Sequence, residues 1–274
     1  MPRYILLHET ASTNTYLSRM AAMLPSRTVI YTHNQTAGRG QRGNSWEAEP
    51  GKNLTFSMLV KDIAVRPDEQ FFISMAVSLA VVDFLKQHIG DVTVKWPNDI
   101  YHGDRKICGM LIEHTLQGAA IKNTVVGVGL NINQTEWRSN APNPVSLAQI
   151  TGKELDLDEA LHSVCELIER YTDFSGYTAE RYADLHRRYL EALYRYDDSY
   201  HTFAKPKPTS ATTLAPITIN PEGWESFEAK IGDVLPDGTL LLVNRDGTTS
   251  GYAFKEVAFV VQNADSTCKC KINK

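Results

Sequence analysis

The 274-residue sequence has no apolar run long enough to span a membrane, no surplus of basic charge and only four cysteines. Its longest apolar stretch, FFISMAVSLAVVDFL (Phe71 to Leu85), falls short of the ~20 residues that cross a bilayer and is broken by Ser74, Ser78 and Asp83. It reads as a buried helix, and no membrane association is expected. With 28 basic against 32 acidic residues and a net charge of −4, the chain has no general footprint for nucleic acid, so any anion site must be local. The start, MPRYILLHET, lacks the succession of basic, apolar and small residues that marks a secretory signal, which leads to the expectation of a cytoplasmic protein. Cys108 and Cys165 fall in apolar stretches, while Cys268 and Cys270 form a C-x-C without a second ligand pair. Neither a zinc site nor a disulfide framework is expected, and no residue is assigned as a metal ligand.

What is present is a mixed order of elements. YILLHE, TVIYTH, NLTFSMLV, DVTVKW, KICGMLIEH and NTVVGVGLNI read as strands; the segment after Ser12 or Thr13, Phe71 to His88, Asp158 to Tyr171 and Ala179 to Tyr194 read as helices. Hairpin-like strand pairs between helices predict an α+β domain around a mostly antiparallel sheet, over residues 1–200. A stretch rich in Pro, Ser and Thr follows and is assigned to a linker or excursion at 201–224. Short strands punctuated by PDG and RDG predict a small β-barrel-like module at 225–265, and 266–274 reads as a frayed tail.

Three glycines, Gly38, Gly40 and Gly43, have the G-x-G-x-x-G spacing of a dinucleotide-binding turn. The helix that such a turn must open is missing, because NSWEAEPGKN contains Pro50 and Gly51 and no helical period. A phosphate-binding P-loop fails too, since Lys52 is not followed by Ser or Thr. Two readings stay open for the loop: a solvated surface segment, or an anion site with Arg39 and Arg42 as cations and Trp46 as an apolar cover. KWPND places Lys95 at a strand end, where Pro97, Asn98 and Asp99 favour a turn and the lysine becomes a fixed point charge. Lys106 and Gly109 follow on the next strand, and GVGLNIN ends another in Asn131 and Asn133.

Taken together, STN, QTAGRGQRGNSW, GKNLTFS, KWPNDI, RKICGMLIE and GVGLNIN resemble the biotin-protein ligases, from about Tyr4 to Gln262 apart from the Pro-rich excursion. The resemblance implies a class II synthetase-like catalytic domain followed by a small SH3-like β-barrel. It implies adenylation of biotin by ATP with Mg2+ to give biotinyl-5′-AMP, then transfer to a lysine of a biotin carboxyl carrier protein. It places Ser12, Thr13, Asn14 and Gln35 at the biotin ring, with Gly38, Arg39, Gly40 and Gln41 closing over it and Gly109 lining the tail. It makes Lys95 and Arg39 catalytic, Lys95 bridging carboxylate and α-phosphate. Arg39, Arg42, Trp46, Lys95 and Asn131 fall on the ATP side, and Lys106 near the biotin end.

Many family members carry an N-terminal helix-turn-helix; the catalytic strand begins here at residue 4, so no DNA binding is expected. Monomer and homodimer both remain open. Many members also have arginine directly after the second glycine, where this chain has Gln41. Gln41 supplies no charge, so either Arg42 compensates or the adenylate is held less tightly. A lipoate-protein ligase of related fold is the nearest rival, and a non-catalytic binding module is the rival from another class.

Overall fold

The computed structural model describes residues 2–138, 143–207, 223–261 and 271–273, with Arg42, Val261 and residues 271–273 described through their backbone alone. The chain forms two compact units, Met1–Tyr194 and Arg195–Lys274. The first unit opens with β1 (Arg3–Leu7), α1 (Thr13–Met20), β2 (Thr28–Thr32) and the short pair β3 (Gly38–Arg39) and β4 (Ser45–Trp46). It continues through β5 (Leu54–Lys61), α2 (Phe71–Leu85), β6 (Val92–Lys95), β7 (Asp99–His102), β8 (Arg105–Gln117) and β9 (Ala120–Leu130). Three helices complete it: α3 (Leu147–Thr151), α4 (Leu157–Tyr171) and α5 (Ala179–Glu191).

Seven strands form one sheet in the order β1-β2-β5-β9-β8-β7-β6, in which only the β1 and β2 pair is parallel. This is the α+β, mostly antiparallel arrangement expected. Its two faces differ because side chains alternate along each strand. Phe56, Met58, Met110, Val126 and Val128 are buried on the face covered by the long helices, and α2, apolar all round, is buried almost throughout. The opposite face carries Ser57, Gly109, Gly127 and Gly129, in register as Ser57↔Gly127 and Gly109↔Gly129. Helix α1 packs there, through a cluster of Leu17, Ala21, Ile30, Leu59 and Val125.

The turn expected at Asn98 and Asp99 is tighter than the sequence suggested. Lys95 pairs with Asp99 across a hairpin whose turn is Trp96-Pro97-Asn98, so Asp99 already belongs to a strand.

The second unit holds β10 (His201–Pro206), β11 (Trp224–Val234), β12 (Leu240–Asn244), β13 (Thr249–Tyr252), β14 (Ala258–Val261) and β15 (Lys271–Asn273). They form one sheet ordered β13-β12-β11-β10-β14-β15. Two expectations are corrected here. Residues 201–206 are not linker: β10 pairs with both β11 and β14, burying Phe203 and Ala204, and Pro206 stands at the strand's last position, where its missing N–H is tolerated. The first compact unit ends at Tyr194 rather than near 200. Nor is the terminus wholly frayed, because Lys271–Asn273 pairs with β14. The remainder of the Pro-rich stretch, 208–222, lies outside the described residues, as do Cys268 and Cys270.

Candidate active site

Ser12 starts the site by capping α1. In extended backbone, its hydroxyl accepts from the Thr15 N–H at 3.4 Å and leaves the side chains of the first turn facing the glycine-bearing strands. Gln35 Oε1 accepts from the Thr13 N–H at 3.0 Å. Ser57 Oγ lies 2.8 Å from Thr13 Oγ1 and 2.5 Å from Asn14 Oδ1. Asn14 Nδ2 donates to the Leu111 carbonyl at 2.9 Å and to Glu113 Oε2 at 3.0 Å. This crowding requires Gly127, where a Cβ would stand 2.0 Å from Asn14 Oδ1. Ser12, Thr13 and Asn14 are all buried, so the cradle is a preformed polar group inside the fold.

The glycine loop is tied down at its start, with Thr36 and Ala37 N–H groups donating to the Thr10 and Ala11 carbonyls at 3.0 and 2.9 Å. Gly38 then pairs with Trp46, and a Cβ on Gly38 would meet the Trp46 carbonyl at 2.4 Å. Gln41–Gly43 make a short 3-10 turn closed by Gly43 at φ +88, a conformation that suits glycine. The side chain of Arg42 lies outside the described residues. Trp46 lays its indole flat on the Gly109↔Gly129 pair: a Cβ at Gly129 would be 2.3 Å from Trp46 Cε2, and one at Gly109 would be 2.9 Å from Cζ3. The indole Nε1 is buried without a hydrogen-bond partner among the described residues. Arg39 is directed to the protein, its Nη2 2.6 Å from Glu113 Oε1 and its Nη1 donating to Thr15 Oγ1 at 3.1 Å.

The two lysines differ in their surroundings. Lys95 is 3% exposed, with its ammonium 5.1 Å from the centre of the buried Tyr101 ring. Burial first and the nearby Asp99 second push the Tyr101 phenol far above its ordinary value, so it stays neutral. Lys106 reaches the trough: its side chain lies against Gly109, its ammonium is 5.6 Å from the Trp46 ring centre, and it pairs with Asp99 Oδ1 at 2.7 Å. A bulge between Ile100 and Tyr101 shifts the register and brings Lys106 there.

The end of β9 clamps the surroundings. Asn131 Nδ2 donates to the Val145 carbonyl at 3.0 Å, while its Oδ1 is buried without a partner among the described residues. Asn133 bonds Leu155 in both directions, at 2.9 and 3.0 Å. Gln134 was missed in the sequence, yet its Oε1 accepts from the Glu49 N–H at 3.0 Å and from Asn53 Nδ2 at 2.5 Å, and its Nε2 donates to the Glu136 carbonyl at 2.7 Å. Ser57 and Glu113 were missed as well; the strand period, which puts both on the glycine-bearing face, is the signal that finds them.

A model of the biotin/lipoate A/B protein ligase family matches residues 6–131. The bifunctional ligase/repressor BirA of Bacillus subtilis is 26% identical over 64% of this chain and 55% of its own length. The bifunctional ligase/repressor BirA of Escherichia coli is 35% identical over 44% of this chain and 38% of its own. The biotin-[acetyl-CoA-carboxylase] ligase of Paracoccus denitrificans is 28% identical over 61% and 71%. The chain thus spans about half the length, or less, of the first two of these relatives. In fold it is similar to the biotin protein ligase of Aquifex aeolicus solved with biotin and ATP, at TM-score 0.70 and 21% identity over 94% of this chain and 98% of that one. Residues 6–131, just under half of the chain, are thus the part that is similar to the biotin/lipoate A/B protein ligase family.

Proposed function

We propose that this chain is a biotin-protein ligase: it joins biotin to AMP at the expense of ATP, then passes the biotinyl group to a lysine of a biotin carboxyl carrier protein in the cytoplasm. The carrying observation is the trough of Gly109 and Gly129 covered by Trp46, with the polar cradle at one end and the Lys106 ammonium beside it. A molecule with a hydrogen-bonding head, an apolar tail and a carboxylate matches that sequence of surfaces. Its head would meet Ser12, Thr13, Asn14 and Gln35, its tail the glycine backbone and the indole, and its carboxylate Lys106.

The chemistry then needs little covalent work from the protein. A carboxylate oxygen attacks the α-phosphorus of ATP and pyrophosphate leaves; the carrier amine next attacks the mixed anhydride's carbonyl, losing a proton as AMP leaves. Both steps gather negative charge near one phosphate, where a fixed cation is most effective. Lys106 takes that position in our reading, with Asp99 orienting its ammonium, and the buried Lys95 adds positive charge on the same face. Trp46 Nε1 and Asn131 Oδ1, a buried donor and a buried acceptor without partners among the described residues, are suited to ligand polar groups. Among the described residues no three His, Cys, Asp or Glu side chains gather to hold a metal. Mg2+ would therefore arrive with the nucleotide's phosphates, as that ion commonly does.

The test is pyrophosphate release from ATP with biotin and, separately, with lipoate. Biotin-dependent release is expected, reduced by about 10²-fold or more in Lys106→Ala. A greater loss in folded Lys95→Ala than in Lys106→Ala would return the bridging role to Lys95. Release with lipoate alone would change the substrate, and release with neither would overturn the reading.

A further inference from the structure

Arg39 stands between two assignments. The family resemblance puts it on a phosphate, whereas here its guanidinium is spanned by Glu113 Oε1 at 2.6 Å and Thr15 Oγ1 at 3.1 Å. The second oxygen of Glu113 accepts from Asn14 Nδ2 at 3.0 Å. One carboxylate on β8 thus holds both the first turn of α1 and the near limb of the glycine loop. The tip beyond is bonded within itself, Gly40 N–H to the Asn44 carbonyl at 2.7 Å and Asn44 N–H to the Gln41 carbonyl at 3.2 Å. The tip's position over the cradle therefore leans on Arg39.

We propose that Glu113 is a positioning residue, and that the Arg39 and Glu113 pair is a latch fixing how long the acid substrate stays beneath the loop. Naming that acid as biotin rests on the function proposed above; the latch itself does not. Both side chains are partly exposed, 47% and 33%, so the pair adds little to global stability and can open without unfolding. Its connection to Asn14 links cradle and cover: the same carboxylate that aims the Asn14 amide also holds the loop down. An enzyme that must retain its activated intermediate gains from a latch that is made of protein groups and releases on a local motion.

A double-mutant cycle of Arg39→Gln, Glu113→Gln and the pair decides the matter. In ligand-free protein, trypsin cleavage after Arg42 is expected to quicken several-fold in each single variant and no further in the double, because two halves of one contact are not additive. In biotin-dependent pyrophosphate exchange, each variant is expected to release biotin about tenfold faster, most of an affinity change falling on the dissociation rate, with KM for ATP within about twofold. Additive cleavage rates would overturn the latch. So would a tenfold rise in KM for ATP in Arg39→Gln with Glu113→Gln silent, which would return Arg39 to phosphate. If the unaltered protein shows no biotin-dependent exchange, the proposed function fails and the ligand-free cleavage still judges the latch. Unchanged melting temperatures keep misfolding out of the comparison.

Discussion

Gly129 and Gly127 sit two residues apart on one strand, and each has its missing Cβ replaced by a different visitor: Trp46 Cε2 at 2.3 Å and Asn14 Oδ1 at 2.0 Å. A methyl group at Gly129 must push the indole off the sheet, since ring atoms cannot be accommodated at that distance. Gly129→Ala is therefore expected to raise KM for the acid substrate about tenfold or more and to lower the melting temperature, because the displaced indole gives up its packing on the strand. A steady-state comparison beside a thermal melt checks both halves. Gln41→Arg adds a charge to the loop tip, and slower escape of the adenylate in a rapid-mixing assay is the expected result. Residue identities were well displayed in the sequence; residue roles were less so. Gly109 was legible as a close-approach position, and Lys95 as a cation held at a strand end. That Lys106 also comes to lie against Gly109 was not, because the register shift between Ile100 and Tyr101 that brings it there leaves no mark in composition or period.

Among elements, the glycine loop and the end of β9 depend on each other. Gln134 is 1% exposed, accepts from the donors Glu49 N–H and Asn53 Nδ2 and donates to the Glu136 carbonyl, so it fastens the loop's far limb to the strand. Gln134→Met strands those buried donors, at about 1–3 kcal/mol for a lost buried bond, and is expected to lower the melting temperature and loosen the loop. Denaturation and trypsin cleavage read the two effects separately. Ordering a loop costs roughly 1–2 kcal/mol of backbone entropy per residue, so cleavage at Arg39 and Arg42 is expected to slow when biotin and ATP are added; equal rates with and without them would contradict it. Helices and long strands were legible here because their periods are strong, as in α4, whose first residue lies one position from the expected start. The short β7 was hidden by the turn residues that precede it, and α3, only five residues long, by its lack of a full apolar period.

For the whole molecule, the division of labour is between the two faces of one sheet. The α+β class and the antiparallel bias were legible from the mixed order of elements; the boundary at Tyr194 was not, since β10 precedes the Pro-rich stretch that looked like the divide. Cys108 and Cys165 belong to the packed side of the first unit, both fully buried, and burial pushes both thiols far above their ordinary range. Neither is expected to react with a water-soluble thiol reagent in the native protein, and labelling followed by peptide mapping checks this.

The indole on the glycine trough has an optical consequence. Trp46 is one of four tryptophans in the chain, and its ring N–H is buried with no partner among the described residues. Its excited state is sensitive to hydrogen bonding, so a ligand that offers that N–H an acceptor should shift its emission. Titrating biotin into the unlabelled protein, with Trp46→Phe as the blank, would then report binding from inside the site itself.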